Sequence, residues 1–296
     1  MSRNSAPDFR PALRPADILN LVFLFFLTLV TALFSRKIAG PFFLISLYGS
    51  LIFLQILLIR TKDHGNFLKL IYDLIFPTAC ILIIFNSLEQ LVHFINPRDI
   101  DPLLIKLDYM IFNGYPTVML ENIMAPLLTD ILQTAYSSYY FLPVTLGIVL
   151  KIRDDGKAFD QSLFLIMLCF YLSYIGYMLM PALGPRFTMN HLQNRDLQGL
   201  FITGPVQEIL NRLEGVKRDA FPSGHTGIAL TVCYLAWRFE KRLFAIFLPV
   251  TLALIASTVY CRYHYVVDVI GGLALTLITI VLGEKYYGYR TKHTGC

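Results

Sequence analysis

Apolar runs long enough to cross a lipid bilayer constrain the fold of this chain more than any other feature. A transmembrane helix needs about 20 predominantly apolar residues. Eight runs approach that length, at 18–34, 42–59, 68–95, 136–150, 161–180, 222–237, 243–261 and 265–283. Hydrophobic residues make up 56% of the chain and charged residues 15%, whereas a soluble domain carries roughly 25% charge. The sequence therefore predicts an all-α integral membrane protein with about eight transmembrane helices.

The remaining residues form short connections and ends, without an internal repeat, so we expect one transmembrane domain over 17–284. A polar segment, 1–16, precedes it, and a tail, 285–296, follows it. Residues 96–134 alternate acids with apolar pairs, a pattern that suits short amphipathic helices in the membrane interface. A cleavable signal peptide is the alternative for the first run, but no small-x-small cleavage site follows before Arg36, which favours an uncleaved span.

Basic residues predict the orientation of the chain. Lys and Arg concentrate in short loops on the cytoplasmic side of a membrane. With eight spans, one side holds both termini and three short loops, and each of these five segments carries three of the 25 Lys and Arg residues, fifteen in all. We therefore expect both termini in the cytoplasm of a bacterial cell and the loops 181–221 and 262–264 together outside the plasma membrane. The net charge of +5 is spread among loops, without a basic block of the kind that binds nucleic acid.

The first candidate functional stretch is Phe221–Thr226, where a polar loop becomes an apolar helix. Pro222 suits the opening turn of a helix. Ser223 and Gly224 would present free backbone N–H groups at the positive end of the helix dipole, which is a ready anion site. His225 adds a titratable ring beside it. The alternative is an ordinary helix start with a chance histidine.

The second stretch, 257–268, contains His264 and Asp268 four residues apart. On a helix these two side chains would share a face. A carboxylate bonded to one imidazole nitrogen fixes the tautomer and leaves the other nitrogen free to attack. A structural His–Asp pair is the alternative, and a metal site is disfavoured because no third ligand stands at a suitable spacing.

Arg186, at the end of the fifth run, forms the third candidate, in the sequence Pro181–Phe187. Its guanidinium offers a rigid fork of donors that matches phosphate. Taken alone, an arginine at this position would be interpreted as a side chain that reaches from the membrane to its interface.

Together the three stretches resemble the type 2 phosphatidic acid phosphatase and vanadium haloperoxidase superfamily over residues 180–272. Four residues match its Pro-Ser-Gly-His motif in full: Pro222, Ser223, Gly224 and His225. Three more stand at the spacing of its Ser…His…Asp motif: Ser257, His264 and Asp268.

Two cations of the family pattern are missing. Thr258 stands where the family has an arginine, and Arg262, one helical turn further on, is a candidate replacement. Around Arg186, Leu179 and Phe187 stand where the family has lysine and proline. These departures look like the inositol phosphorylceramide synthase branch of the superfamily.

The resemblance implies a six-helix core with extra N-terminal spans, and a catalytic half at 180–284. It also implies phosphoryl transfer through a phosphohistidine on His264, with Asp268 as its orienting partner and His225 as general acid and base. Four candidates would bind the phosphate: Arg186, Ser223, Gly224 and Arg262. The scheme requires no metal ion and no cofactor. Its partners would be a phospholipid donor in the bilayer and a lipid alcohol acceptor, or water.

A transferase must also bind its acceptor. Candidates lie at helical spacing near the end of the third run, at Asn86, Glu89 and His93, and at the start of the fourth, at Tyr136. A polar contact between helices and a belt of aromatic residues would explain the same pattern.

Three hypotheses about function follow from the sequence. The first is a lipid phosphotransferase that moves a phosphoryl-linked head group to a lipid alcohol. The second is a lipid phosphate phosphatase acting on phosphatidate or isoprenyl pyrophosphate. The third, from another class, is a transporter or scaffold that retains the motifs without catalysis. The intact set of His225, His264 and Asp268 argues against the third.

Overall fold

The computed structural model of the protein describes residues 13–213 and 217–294, and every regular element within them is a helix. The α-helices, numbered in chain order, are α1 (Pro15–Leu33), α2 (Pro41–Thr61), α3 (Asn66–Leu70), α4 (Phe76–Ile95), α5 (Asp101–Phe112), α6 (Pro116–Met119), α7 (Pro126–Ser137), α8 (Phe141–Ile152), α9 (Gly156–Leu179), α10 (Pro185–Thr188), α11 (Thr203–Leu213), α12 (Gly224–Phe239), α13 (Lys241–Tyr260) and α14 (Val266–Thr294). Short 3-10 turns lie at Lys62–His64, Leu120–Ile123, Ser138–Tyr140 and Asn190–Leu192, and a π-helical turn, Ile71–Ile75, joins α3 to α4.

Helices cover all eight predicted runs, which confirms the all-α membrane protein. Within the described residues, six segments are long and apolar enough to cross a membrane: Pro15–Leu33, Pro41–His64, Asn66–Ile95, Gly156–Leu179, Lys241–Tyr260 and Val266–Arg290. The other two runs are shorter helices. One combines the end of α7, a 3-10 turn and α8, and the other is α12, which has 16 residues.

The first helix begins three residues before the predicted run, because its start is fixed by charged contacts inside the protein. Arg14 Nη1 lies 2.7 Å from Asp73 Oδ1, and the Tyr72 hydroxyl donates to Asp17 Oδ2 at 2.5 Å. The predicted polar segment 1–16 therefore ends within the folded protein. Its residues 1–12, and residues 295–296 of the predicted tail, lie outside the described residues.

Helix α9 occupies the centre of the bundle and packs against α1, α4, α8, α12 and α14. In its most apolar window 72% of the residues are buried, against 33–39% in the other five candidate spans. A helix that is apolar on all sides is expected in such a central position. Beside it, α12 packs on both α13 and α14, so the predicted catalytic stretches meet at one end of the bundle, which we call the catalytic end.

Short helices form most of the uncertain segment 96–134, as predicted, namely α5, α6 and α7. Their location in the membrane interface stays a prediction. Four of the five acids of this segment are buried in the protein, namely Asp101, Asp108, Glu121 and Asp130. The predicted loop 181–221 also contains helical structure, since α10 and α11 lie within it.

Candidate active site

Helix α12 begins at Gly224 with Ser223 as its N-cap, and the Thr226 N–H donates to Ser223 Oγ at 3.3 Å. Pro222 precedes the cap, after a cis peptide bond. The prediction of a free N–H on Ser223 is wrong, because this group donates to the carbonyl oxygen of Asp268 at 3.0 Å. The starts of α12 and α14 are packed too closely for an anion to intervene: a Cβ on Gly272 would lie 2.7 Å from the Ser223 carbonyl oxygen.

His225 lies in the first turn of α12, with only 8% of its surface exposed. Its ring stacks on the Tyr136 ring, with centroids 4.3 Å apart, and contacts the Tyr139 ring at a tilt, with centroids 4.2 Å apart. Its Nε2 is buried and has no hydrogen-bond partner within the part of the chain that the structure describes. A buried nitrogen without a partner costs free energy, so this atom marks a place where a ligand can bind.

His264 lies in the turn between α13 and α14 and is 3% exposed. Its Nδ1 is 2.8 Å from the Ala220 carbonyl oxygen and 3.4 Å from Asp268 Oδ2. Because a carbonyl oxygen can only accept, Nδ1 carries the proton and the lone pair lies on Nε2. The sequence did not indicate the Ala220 contact, because it depends on how two loops meet.

The expected helical pairing of His264 with Asp268 arises in a different way. His264 precedes α14, which begins at Val266. Asp268 instead caps that helix: its Oδ2 accepts the Tyr265 N–H at 2.9 Å, as in a capping box. Its Oδ1 is buried without a hydrogen-bond partner among the described residues. The carboxylate thus reaches His264 from a helix cap.

The two histidine rings meet edge-on, with centroids 5.7 Å apart and an interplanar angle of 61°. The structure therefore brings His225, His264 and Asp268 together, as the motif spacing predicts. Asp219 lines the same cavity as His225. Burial raises the pKa of the Asp219 carboxyl, and the charges of His264 and Arg186 oppose that shift only in part.

Arg186 lies in α10, and its guanidinium carbon is 5.0 Å from the centre of the Tyr263 ring. Its backbone N–H donates to the Arg262 carbonyl oxygen at 3.0 Å, which joins the two predicted phosphate-binding stretches. The approach is close: a Cβ on Gly184, where φ is +86°, would lie 2.5 Å from the Tyr263 carbonyl oxygen. Only glycine combines that backbone conformation with that clearance.

The side chain of Arg262 is already engaged. Its Nη2 donates to Glu121 Oε1 at 2.9 Å and to the Arg195 carbonyl oxygen, and its Nη1 donates to Gln193 Oε1 at 2.9 Å. Burial lowers the pKa of the guanidinium, and Glu121 opposes that shift. Phosphate binding by Arg262 would require these contacts to break. In the observed structure the side chain instead holds the loop at residues 193–195 against Glu121.

Three buried carboxylates bind backbone N–H groups around the site. Asp101 accepts from Leu183 and Gly184, each at 2.9 Å. Asp108 accepts from residues 266 and 267 at the start of α14. Asp130 accepts from the four N–H groups of residues 200–203 and from the Thr203 hydroxyl. These bonds hold the pKa of Asp130 at about 2. Sequence reasoning missed this role, although acids among apolar residues in a membrane protein were the available signal.

The acceptor candidates reach the catalytic end to different degrees. Asn86 lines the cavity that also contacts His225. Glu89 Oε2 accepts the Lys217 N–H at 3.0 Å, close to the loop that carries Asp219. Tyr136 stacks on His225 itself. His93 is exposed and meets Phe94 edge-on at 5.9 Å.

The fold and the site define a helical membrane protein with two imidazole rings that meet edge-on at one end of the bundle, and sequence comparison agrees with that class. Residues 104–282, more than half of the chain, match the PAP2 superfamily, and the chain belongs to that superfamily. The matched range begins before the predicted catalytic half and includes Asp108, Glu121 and Asp130.

The chain is also similar to a PA-phosphatase related-family protein of Dictyostelium discoideum, with 24% identity over 188 residues. The match covers 56% of this chain and 34% of the relative, so the chain spans about a third of the relative's length. No solved structure shows significant similarity to the chain.

Proposed function

We propose that this protein is a lipid phosphotransferase of the inositol phosphorylceramide synthase kind. It would move a phosphoryl-linked head group from a phospholipid to a lipid alcohol through a phosphohistidine on His264. The observation that carries the proposal is the buried Nε2 of His225, which has no hydrogen-bond partner in residues 13–213 and 217–294 and belongs to a ring centred 5.7 Å from that of His264. A phosphate group between the rings would supply the missing partner.

In the first half-reaction, the lone pair on His264 Nε2 attacks phosphorus, and the bond from phosphorus to the diacylglycerol oxygen breaks. Protonated His225 donates its Nε2 proton to the leaving alkoxide. General acid catalysis of this kind contributes about 10²–10⁴-fold to a rate. The Nδ1 bond to Ala220 and the nearby Asp268 carboxylate hold the attacking ring and stabilise its positive charge.

In the second half-reaction, the acceptor hydroxyl gives its proton to neutral His225. The oxygen of the acceptor hydroxyl attacks the phosphorus of the phosphohistidine, and the bond between His264 Nε2 and phosphorus breaks. The free His264 and the protonated His225 are restored, so the cycle balances without any other reactant. Arg186 would stabilise charge on the phosphoryl oxygens. Arg262 would hold the loop from which Arg186 extends, and Gly224 would let the Tyr177 hydroxyl approach the start of α12.

The burial of the reacting groups supports an alcohol as the acceptor in preference to water. The exposed fractions of His225 and His264 are 8% and 3%, and two tyrosine rings cover His225. A phosphohistidine that water reaches easily would be hydrolysed, whereas an enclosed site protects a reactive intermediate. Asn86, Glu89 and Tyr136 are the candidate contacts of the acceptor.

Hydrolysis is the second candidate function, and the similarity to a PA-phosphatase related-family protein favours it. The two candidates share both histidine steps and differ only in whether water or an alcohol attacks the phosphohistidine. Either activity requires the same two rings.

The test supplies the purified protein in lipid nanodiscs with a phospholipid labelled in its head group, with and without a long-chain alcohol. Labelled acceptor lipid supports the transferase, and water-soluble labelled head group that forms regardless of the alcohol supports the hydrolase. Absence of both products would refute catalysis by this site. We expect His264→Ala and His225→Ala to lose nearly all turnover, while His191→Ala, a change at an exposed loop histidine, keeps it.

We also propose that both termini lie in the cytoplasm of a bacterial cell and that the site opens on the other side of the plasma membrane. The support is the excess of Lys and Arg in the termini and three short loops on one side. Single cysteines at exposed Asp63 and exposed His191, in a cysteine-free background that retains turnover, test it. A membrane-impermeant thiol reagent should label intact cells only at position 191.

A further inference from the structure

A cavity of about 610 Å³ leads away from the active site between three helices. His225 and Asp219 lie at one end of it and Asp73 at the other. Its volume falls within the range of ordinary small-molecule sites, which are mostly apolar with a few polar groups. The polar groups here are concentrated at the two ends, and the walls between them are largely apolar.

Helices α4, α8 and α9 each contribute one stripe of side chains to the walls. Leu74, Pro77, Ile81 and Phe85 face the cavity along α4 and the turn before it. Phe159, Ile166, Phe170 and Tyr174 face it along α9. Spacings of three, four or seven residues place these side chains on one face of each helix, so each face lines a continuous groove. Helix α8 contributes Val144 and Gly147.

The packing of the helices explains why the groove exists and where it ends. Helices α4 and α8 both pack on α9, whereas these two fully described helices make few contacts with each other. A slot therefore remains between them, with α9 as its floor. At the far end the π-helical turn Ile71–Ile75 packs on α8, and Lys151 Nζ lies 2.5 Å from Asp73 Oδ2. That contact closes the slot.

The groove is deeper than one leaflet of a bilayer. From Phe159 to Tyr177, two lining residues of α9, the distance is about 27 Å at 1.5 Å per residue. One leaflet of the hydrocarbon core is about 15 Å thick. A chain that begins at the catalytic histidines and fills the groove would therefore extend well past the middle of the membrane.

We propose that this groove binds one long hydrocarbon chain of the lipid whose phosphoryl group or hydroxyl reacts between His225 and His264, and that its closed end limits the length of that chain. The proposal rests on the proposed function for the position of the head group. Continuity with the His225 pocket and the apolar walls identify the occupant as a lipid chain.

The closed end can limit the length of the bound chain because hydrocarbon cannot displace the ion pairs that close the groove. Asp73 is bonded to both Arg14 and Lys151, and breaking a buried ion pair is strongly unfavourable. The groove is narrow at Gly147, where a Cβ would lie 3.1 Å from Leu74 Cδ2 and 3.6 Å from Phe159 Cε2. A larger side chain at this position would shorten the groove.

The first test measures KM for a series of substrates from hexanoyl to stearoyl chains. Gly147→Leu should raise KM for the longest chains about tenfold, the loss of roughly two buried methylene groups, and leave hexanoyl substrates unchanged. Val144→Phe, nearer the histidines, should move the limit to shorter chains. The control is Ile148→Phe, on the exposed side of α8, which should keep the wild-type profile.

Chain length is varied first in the donor and then in the acceptor, and the lipid that shows the dependence is the one that occupies the groove. If KM depends on chain length in neither lipid, or if Ile148→Phe changes the profile as Gly147→Leu does, the groove proposal is overturned while the proposed function stands. Turnover of hexanoyl substrates at the wild-type rate shows that each variant is folded.

A second test does not depend on turnover. A long-chain phospholipid or alcohol with a diazirine at the end of its chain is photolysed in nanodiscs with the full-length protein. We expect labelled peptides from residues near Leu74 and Gly147, and less labelling there in Gly147→Leu. Labelling confined to lipid-facing residues such as Ile148 would overturn the groove even if the protein transfers head groups. The reverse result, groove labelling without any product, would refute only the proposed function.

Discussion

The two ends of the helix bundle both bury carboxylates, but these carboxylates bind different partners. At the catalytic end, Asp101, Asp108 and Asp130 accept hydrogen bonds mainly from backbone N–H groups. At the opposite end, Asp73 is held between the side chains of Arg14 and Lys151 at 2.7 and 2.5 Å. At the catalytic end these carboxylates fix the path of loops, and at the opposite end Asp73 connects neighbouring segments through their side chains.

The difference follows from the backbone at each end. Residues 181–184 and 200–202 have no regular structure, so their N–H groups lack the partners that a helix interior supplies. A carboxylate can accept several such donors at once and thereby fixes the path of a loop. At the opposite end, Asp73 and Lys151 belong to helical segments whose backbone groups bond within the helix, so Asp73 binds the side chains of Lys151 and Arg14. We therefore expect changes at the catalytic end to lower turnover and changes at the opposite end to lower stability.

The largest effect is expected for Asp268→Asn at the catalytic end. The change weakens the cap on the Tyr265 N–H and removes the charge near His264. Because the Ala220 carbonyl still fixes the tautomer of His264, we expect kcat to fall about 10³-fold, less than the roughly 10⁴-fold seen when a catalytic histidine loses its tautomer. Single-turnover formation of phosphohistidine measures it, and an unchanged kcat would refute the role of Asp268.

Asp101→Asn should have the next largest effect. One carboxylate oxygen accepts from Leu183, and the other accepts from Gly184 and the Tyr265 hydroxyl. An amide can replace only one of these oxygens, so the bend that carries Arg186 should shift. A displacement of about 1 Å costs on the order of 10²-fold in rate, and we expect that loss in kcat with little change in melting temperature. A large fall in melting temperature with normal kcat would remove the distinction between the two ends.

Asp17→Asn tests the opposite end. Asp17 accepts from the Tyr72 hydroxyl and lies 3.6 Å from Arg14 Nε, and it is 3% exposed. Loss of a charged hydrogen-bond partner in a buried network should lower the free energy of unfolding by about 2 kcal/mol. Denaturant unfolding in micelles measures this loss, and kcat of the folded protein should be unchanged. Asp63→Asn, at an exposed position, is the matched control and should change neither quantity.

Glu89→Gln should have the smallest effect, and it sharpens the comparison within the catalytic end. Glu89 binds the Lys217 N–H, a contact that a glutamine oxygen can preserve. If Glu89 also binds the acceptor, the KM of the acceptor should rise about fivefold in Glu89→Gln, because one hydrogen bond worth about 1 kcal/mol is lost. The KM of the donor should stay constant. Equal changes in both KM values would instead indicate a structural contact between the helix and the loop.

The sequence indicated most of the fold because helices in a membrane depend on local properties. Apolar runs of sufficient length must form helices, since lipid offers no partner for a free backbone group. The spacing of short motifs likewise identified His225, His264 and Asp268. It could not place the four acids of residues 101–130, because each binds residues about 70 to about 160 positions away in the chain.

For two site residues the structure shows hydrogen-bond partners that the sequence did not indicate. The Ser223 N–H was expected to be free at a helix start, and Arg262 to be available for phosphate. In the folded protein the first binds the Asp268 carbonyl oxygen, and the second binds Glu121. Local patterns identify a donor, but the partner that the donor finds depends on which distant segments pack beside it.

By itself, then, the sequence determined the helical membrane fold and which two imidazoles lie together, because both follow from hydrophobicity and from the short spacing of motifs. Only the tertiary structure decided how those imidazoles are held, through Ala220, Tyr136 and the buried carboxylates. It also decided that a groove opens between α4 and α8. The physical reason is that hydrogen-bond partners and cavities arise where segments distant in the chain meet, and no local pattern specifies which segments those are.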